Sequence, residues 1–335
     1  MIAAIEIWRG AEVESTHDVA VCVMNDSGKN VFEWGDVSLK TFPRSAIKII
    51  QAMPLVMSGA ADAYGLDERM LALTCASHSG EPEHAALAAD MLAKAGLSVA
   101  DLECGAHMPS HKGAAYDLAI AHEKPSALHN NCSGKHAGML LYAKHMGYPT
   151  KNYVQPDHPV QRDIRALLEK VLSETVSTIA IDGCSIPAYT FSLIAMARGF
   201  AQLGTGQGLP ENELAAAARL RAACAAYPFY VAGTGRFDTK VMQMFGDRVF
   251  VKTGAEGVYC GIFPEKKLGF VLKALDGATR AAECMTANLI ASFLELSENE
   301  KEFLAPLCAP VLTNWRGTEV GKIKPADKFL AALHQ

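Results

Sequence analysis

The sequence predicts an α+β fold in which a mainly antiparallel sheet, built from both ends of the chain, packs against helices. Three observations predict it. Short segments rich in strand-forming residues lie near both ends, a Gly-containing turn joins two of them, and the long middle is rich in alanine and leucine at helical spacing. We therefore expect a single domain with a sheet lobe from about 1–40 and 228–335 and a helical lobe from about 41–227.

The elements follow in chain order. Residues 2–8 and 17–23 are predicted strands, and the turn NDSGKN leads from the second of them into a hairpin partner, VFEWG. Helical spacing predicts helices in four segments of the middle: EHAALAADMLAKAG, GKHAGMLLYAKHMG, VQRDIRALLEKVL and FSLIAMARGFAQLG. Near the end, a helix over about 278–296 follows three strand-like segments: DRVFVKTG, GVYCGIF and LGFVLKALD.

Composition and charge exclude several classes of protein. Half of the 335 residues are hydrophobic and a fifth are charged, which is typical of a soluble globular protein. The formal net charge is -5 without long runs of one sign, so we expect neither nucleic acid nor an anionic membrane as a partner. The first residues contain no basic leader, and their apolar stretch is too short for a signal peptide or a membrane span. We therefore expect a cytoplasmic protein.

The nine cysteines are scattered over the chain and odd in number. This pattern is not that of a secreted disulfide framework, and it indicates mostly buried, reduced thiols.

The segment FPRSAIKIIQ, residues 42–51, places Ser45 and Lys48 three positions apart where a helix is predicted to begin. A Ser-x-x-Lys match occurs about once by chance in a chain of this composition, so the spacing alone leaves two interpretations open. Either Ser45 merely caps the helix and Lys48 is a solvated charge, or Ser45 is a nucleophile with Lys48 as its base on the same helix face.

A second motif favours the catalytic interpretation. Lys252, Thr253 and Gly254 end a predicted strand, and Ser-x-x-Lys on an early helix with Lys-Thr-Gly on a late strand is the pairing of serine β-lactamases and penicillin-binding proteins. A second lysine close to Lys48 would lower the pKa of its amine and favour the neutral form that accepts a serine proton. The Ser-Asp-Asn motif of those enzymes is absent, so the resemblance is one of architecture with a different substrate.

Longer blocks of sequence resemble a narrower family. They are WRGAEVESTH, FPRSAIKIIQAMP, CASHSGEPEH, NNCSGKHAGML, IDGCSIPAY, VAGTGRFDT and KTGAEGVYCGIFPE. Together they resemble the thermolabile, rhizobial type of L-asparaginase, which has a serine β-lactamase-like fold, and the resemblance runs from about Ile7 to Gly321. It implies an amidohydrolase that converts L-asparagine to L-aspartate and ammonia in asparagine catabolism, usually as a homodimer.

The resemblance also implies a catalytic quartet that pairs Ser45 with Lys48 and Ser77 with Lys252. Ser45 would attack the side-chain amide while Lys48 relays the proton, and the second pair would protonate the leaving group or hold the first pair in register. Which serine attacks first stays open. Ser79 lies in the same Gly-bounded segment as Ser77, and only the resemblance selects Ser77 over it.

A zinc site is implied as well, with Cys132, Lys135 and Cys184 as its ligands. Two thiolates, a third ligand and a water suit tetrahedral zinc, whereas Cys-x-x-Lys alone is not a zinc signature and would indicate two structural cysteines. Lysine binds a metal only as the free amine, so occupancy should fall at low pH. We expect zinc to position the substrate more than to activate the attacking water.

Three residues are candidates for holding L-asparagine. Arg44 could pair bidentately with the α-carboxylate, Asp182 could take the α-ammonium, and His136 could orient either group or a metal ligand. Each could instead be a surface charge or a packed histidine.

Two other functions stay open. A Cys132-dependent amidase of the same fold would use His136 as its base, and a non-catalytic protein would bind an amino acid or zinc. Ammonia release from L-asparagine, measured with and without Ser45→Ala, would separate the three.

Overall fold

A computed structural model describes residues 3–334 of the chain. The strands are β1 (Ile5–Arg9), β2 (Glu12–His17), β3 (Val19–Asn25), β4 (Asn30–Trp34), β5 (Lys40–Thr41), β6 (Ile179–Ile181), β7 (Pro187–Tyr189), β8 (Phe191–Ser192), β9 (Phe250–Gly254), β10 (Val258–Phe263), β11 (Leu268–Ala274), β12 (Val311–Thr313) and β13 (Glu319–Pro325). The α-helices are α1 (Lys48–Met57), α2 (Ala60–Ala63), α3 (Glu68–Thr74), α4 (Pro82–Lys94), α5 (Lys112–Ile120), α6 (Ser133–His145), α7 (Pro159–Leu172), α8 (Leu193–Thr205), α9 (Glu211–Ala226), α10 (Pro228–Ala232), α11 (Phe237–Phe245), α12 (Thr279–Phe293), α13 (Glu298–Cys308) and α14 (Asp327–Leu333).

The chain forms two compact units. The sheet unit comprises residues 3–46, Phe191–Thr205 and 251–334. The helical unit comprises Ile47–Thr190 and Gly206–Phe250.

The sheet unit contains a five-stranded sheet in the order β4-β3-β11-β10-β9 and a four-stranded sheet in the order β12-β13-β1-β2. Neighbours from β4 to β10 pair antiparallel, as do all neighbours of the four-stranded sheet. The register places Val271 of β11 between Cys22 of β3 and Cys260 of β10. Because each sheet takes strands from early and late parts of the chain, the predicted α+β fold class is confirmed.

The central strands are buried on both faces. β3, with the sequence VAVCVMN, has no alternation of polar and apolar residues, and helix α8 packs against both β3 and β11. Such a continuous apolar run is expected where both faces of a strand are covered. The helix α12 packs on β10 and β11 as well.

The helical unit is built around α1, which packs against α6, α7 and α9. Helix α7 shows the pattern behind this packing, since Val160, Ile164, Leu168 and Val171 recur at helical spacing and are buried, while the opposite face is polar. A short hairpin of β6 and β7 also belongs to this unit.

The start of α1 differs from an ordinary capped helix. Residues Arg44–Ile47 form a 3-10 turn, and α1 begins at Lys48 after Ile47, which makes no side-chain cap. Ser45 lies inside the 3-10 turn, so the interpretation of Ser45 as the helix cap is wrong.

No helix within residues 3–334 is both long and apolar enough to cross a membrane.

Candidate active site

Lys48 begins α1 with its side chain fully buried, at 1% exposure. Its Nζ atom donates to the Ser77 hydroxyl at 3.0 Å and to the Cys132 sulfur at 3.1 Å, and it also contacts the Ala76 carbonyl. The interpretation of Lys48 as a solvated charge is therefore wrong. The side chain instead links the start of α1 to two distant segments of the helical unit.

Burial lowers the pKa of Lys48 below its usual value of 10.5, because a low-polarity interior penalises the ammonium form. Cys132 and Cys184 oppose this shift, and the charge of Lys135 adds to it. Within the helical unit, the charge of Lys135 thus helps to lower the pKa of Lys48, which is the effect that we expected of Lys252. A lowered pKa increases the fraction of neutral amine, which is the form that accepts a proton from a serine.

Ser77 lies in the loop between α3 and α4. Its N–H donates to the Val231 carbonyl at 2.9 Å, and its hydroxyl accepts from Lys48. The hydroxyl of Ser79 donates instead to the Glu81 carboxylate at 2.7 Å. The lysine contact therefore belongs to Ser77 and not to Ser79, although it joins Ser77 to Lys48 where the resemblance pairs Ser77 with Lys252.

The predicted metal ligands also come together in the helical unit. Lys135 Nζ lies 3.1 Å from Cys184 Sγ, and the Cys184 thiol hydrogen-bonds to the Cys132 sulfur. That bond is the largest cause that lowers the pKa of Cys132 well below its usual value; burial opposes it, and the charges of Lys135 and Lys48 assist it. Burial would lower the pKa of Lys135, but the two sulfurs and Asp182 outweigh it and raise that pKa.

The donor set fits a zinc ion only if lysine takes part. Within residues 3–334, no three His, Cys, Asp or Glu side chains cluster closely enough to hold a metal. Two sulfurs and one amine do converge, at Cys132, Cys184 and Lys135, and these are the three predicted ligands. The raised pKa of Lys135 means that a metal would have to displace its proton.

Asp182 and Cys184 occupy the turn of the β6–β7 hairpin. The Asp182 N–H donates to the Ile186 carbonyl at 2.9 Å, and Ser185 adopts a left-handed φ of 75° to close the turn. This tight turn presents Cys184 toward Lys135. Asp182 is half-buried and close enough to Lys135 to raise its pKa.

His136 is fully buried in α6, and burial lowers its pKa well below the usual value. Its Nδ1 atom lies 2.7 Å from the Tyr153 hydroxyl. Its Nε2 atom is buried and meets no hydrogen-bond partner in the described part of the chain. His136 is therefore held as a neutral imidazole with one free ring nitrogen.

The remaining candidates lie in the sheet unit. Ser45 and Arg44 belong to the 3-10 turn, where Arg44 has a left-handed φ of 52°. The Lys-Thr-Gly strand β9 runs directly against this turn, because a Cβ atom at Gly254 would lie 2.3 Å from the Pro43 carbonyl oxygen. The turn that carries Ser45 and the Lys-Thr-Gly strand are thus neighbours within the sheet unit. Lys252 is fully buried in β9.

Several groups of the site were not predicted. The Ala76 carbonyl contacts Lys48, and the side-chain oxygen of Asn131 lies 3.2 Å from the Cys132 sulfur. Glu81 and Thr234 also meet beside Ser79. A backbone carbonyl leaves no signal in a sequence, whereas Asn131 stands in NNCSG, next to a predicted ligand.

Comparison with known proteins identifies the family. The model of the L-asparaginase II family matches residues 5–325. No curated protein matches the chain.

Similar solved structures include a β-lactamase from Mycobacterium bovis, with 13% sequence identity, a TM-score of 0.41, and coverage of 82% of this chain and 94% of that one. A candidate β-lactamase from Bacteroides dorei DSM 17855 shows 14% identity and a TM-score of 0.41 over 77% of this chain and 85% of that one. The native form of Mglu in 4.3M NaCl shows 13% identity and a TM-score of 0.41 over 85% and 64% of the two chains.

The family match spans nearly all of the sequence, including each predicted site residue. The chain therefore belongs to the L-asparaginase II family, which confirms both the predicted family and the predicted enzyme class, an amidohydrolase that acts on L-asparagine.

Proposed function

We propose that the enzyme hydrolyses L-asparagine through a serine ester, with Ser45, Lys48, Ser77 and Lys252 as its catalytic residues. The observation that carries the proposal is the 3.0 Å contact between Lys48 Nζ and Ser77 Oγ in the buried interior of the helical unit. A serine hydroxyl is a weak nucleophile until a neighbouring base accepts its proton, and a buried lysine can be that base. The approach of the Lys-Thr-Gly strand to the turn that carries Ser45 supports a place for Ser45 and Lys252 in the same quartet.

The steps follow from this assignment. Ser45 Oγ attacks the side-chain carbonyl carbon of asparagine, and its proton passes to the neutral amine of Lys48. The C–N bond then breaks as the lysine returns that proton to the leaving nitrogen, which departs as ammonia. Water opens the aspartyl ester, one of its protons restores the serine hydroxyl by way of Lys48, and the other is lost as the product carboxylate forms. Ser77 and Lys252 either relay that same proton from Lys48 to the leaving nitrogen or hold the first pair in register.

Substrate binding is assigned to Arg44, Asp182 and His136. Asp182 would pair with the α-ammonium. Its half-buried position beside Lys135 supports a role next to the proposed zinc ligands. Arg44 would pair with the α-carboxylate, and its left-handed backbone supports a functional role, since such strain concentrates at functional sites. His136 would orient a substrate group through its free ring nitrogen.

Cys132, Lys135 and Cys184 are the proposed zinc ligands, supported by the convergence of two sulfurs and one amine. Bound there, zinc would supply a positive charge that helps to hold the substrate. Cys132 would bind as a thiolate, and Lys135 would have to lose its proton, so affinity should rise with pH.

A Cys132-dependent amidase is the second candidate. The lowered pKa of Cys132 and its 3.1 Å contact with Lys48 favour a reactive thiolate. His136, the proposed base of that mechanism, makes its side-chain hydrogen bond to Tyr153 and not to Cys132. This contact does not favour the thiol mechanism. Membership of the L-asparaginase II family speaks against the third alternative, a non-catalytic binding protein.

The test is ammonia release from L-asparagine together with mass spectrometry of the acid-quenched enzyme. With the serine mechanism, Ser45→Ala should abolish both turnover and the covalent aspartyl adduct, while Cys132→Ser should keep the adduct. Loss of the adduct in Cys132→Ser, with Ser45→Ala still active, would establish the thiol mechanism instead. We also propose a cytoplasmic homodimer, which light scattering of the purified enzyme and cell fractionation would test.

A further inference from the structure

We propose that Glu81 is a positioning residue for this reaction, whose carboxylate fastens the Ser77 loop (residues 75–81) to the Gly233 turn (residues 233–235) and so fixes the backbone of Ser77. The proposal rests on the proposed function, in which Ser77 is a catalytic residue.

The carboxylate of Glu81 is surrounded by donors from both segments. Its side chain is buried, at 6% exposure for the residue. Oε1 accepts from the Ser79 hydroxyl at 2.7 Å and from the Thr234 N–H at 2.8 Å, and Oε2 accepts from the Thr234 hydroxyl at 2.6 Å. The carboxylate thus accepts three hydrogen bonds, and the two from Thr234 join the Ser77 loop to the Gly233 turn.

These bonds keep the carboxylate ionised in spite of its burial. Burial alone would raise the pKa of Glu81, but the bonds from Thr234 and Ser79 outweigh it, and the pKa lies below the usual value. The imidazole of His111, 3.9 Å away, assists. A buried carboxylate is costly unless it is hydrogen-bonded, so this one is strongly tied to its three donors.

A further hydrogen bond holds the Ser77 loop at Ser77 itself, to the helix α10 that leads into the Gly233 turn. The Ser77 N–H donates to the Val231 carbonyl at 2.9 Å, two residues before Gly233, and Ser79 follows Ser77 by two residues. The Glu81 bonds thus tie the Ser77 loop to the Gly233 turn, and the Ser77–Val231 bond ties the same loop to helix α10, which ends directly before that turn.

The approach of the segments leaves no room for a side chain at Gly233. A Cβ atom there would lie 1.8 Å from Ser79 Oγ and 2.6 Å from Glu81 Oε1, and Gly233 has a φ of 111°. The Ser77 loop therefore rests directly on the backbone of the turn, with Glu81 as the polar link.

Removal of the carboxylate should release this link and let Ser77 Oγ drift from Lys48 Nζ. Misplacement of a reacting group by about 1 Å can cost about 100-fold in rate. Glu81→Gln can keep the link, because its amide oxygen can accept both Oε1 bonds and its amide nitrogen can donate to the Thr234 hydroxyl.

The experiment compares Glu81→Ala, Glu81→Gln and the control Glu213→Ala in the full-length enzyme. Glu213 is a carboxylate of the same unit, also buried, which pairs with Lys170. We expect Glu81→Ala to lower kcat by about 30-fold or more while KM stays within about threefold of the wild type. The kcat of Glu81→Gln should stay within about fivefold of the wild type. Glu213→Ala should lower Tm but not kcat. Hydrogen exchange in peptides covering 75–81 and 229–236 should quicken only in Glu81→Ala.

Two results would overturn the proposal. One is a folded Glu81→Ala enzyme whose kcat and hydrogen exchange equal those of the wild type. The other is a loss of kcat in Glu81→Gln as large as that in Glu81→Ala, since it would show that the charge of Glu81 matters and its hydrogen bonds do not. If Glu81→Ala does not fold, Thr234→Val decides, because it removes one of the three bonds and must lower kcat with KM unchanged. Failure of the proposed function looks different, since Ser77→Ala would then remain fully active.

Discussion

Replacement of Lys48 by methionine removes the proposed base while it largely fills the space of the side chain. The amine contacts Ser77 Oγ at 3.0 Å and Cys132 Sγ at 3.1 Å, and it also contacts the Ala76 carbonyl. Because general-base catalysis contributes about 10²–10⁴ in rate, kcat should fall by that factor, which corresponds to about 3–5 kcal/mol of activation free energy. The Ala76 carbonyl, left unpaired, costs about 1–3 kcal/mol of unfolding free energy. Loss of a buried, poorly solvated amine offsets part of this cost, so the variant should remain folded.

The assay measures kcat and KM from ammonia release, with thermal unfolding followed by circular dichroism. The matched control is Lys144→Met, which removes the 2.5 Å hydrogen bond between Lys144 Nζ and the Ala95 carbonyl in the same unit. Its kcat should equal that of the wild type. A folded Lys48→Met enzyme with kcat within about threefold of the wild type would refute the assignment of Lys48 as the base.

Three other predictions test the substrate site, the metal and the strand that carries Lys252. Asp182→Ala should raise KM for L-asparagine at least about tenfold with little change in kcat, because the α-ammonium loses its partner; an unchanged KM would remove Asp182 from the site. A chelator should raise KM more than it lowers kcat, and complete loss of kcat would contradict a positioning role for zinc. Gly254→Ala should lower the free energy of unfolding by at least about 2 kcal/mol, measured in urea, since its Cβ would lie 2.3 Å from the Pro43 carbonyl oxygen; full stability would show that β9 has room to move.

Local periodicity predicts most of the elements. The turn NDSGKN does separate β3 from β4, and the four helical segments of the middle correspond to α4, α6, α7 and α8. The strand β2 was missed because its sequence, EVESTH, is polar and mostly exposed at the edge of its sheet. Such an edge strand is held by backbone pairing with β1, which leaves no apolar pattern to detect.

The residues of the candidate site are easier to predict from the sequence than the contacts between them. Ser-x-x-Lys and Lys-Thr-Gly are local motifs, so Lys48 and Lys252 can be found by inspection of the sequence. The partner of Lys48 at Cys132 lies 84 positions away, and that of Glu81 at Thr234 lies 153 positions away. Packing of the whole unit decides these pairs, and no local pattern contains them.

The way in which β1 lies beside β13 has a consequence for synthesis of the protein. Ile5 stands opposite Pro325, and the Ala326 N–H donates to the Ala4 carbonyl at 2.9 Å. The first strands therefore leave the ribosome long before their partners exist, and the four-stranded sheet can close only after translation has passed residue 325.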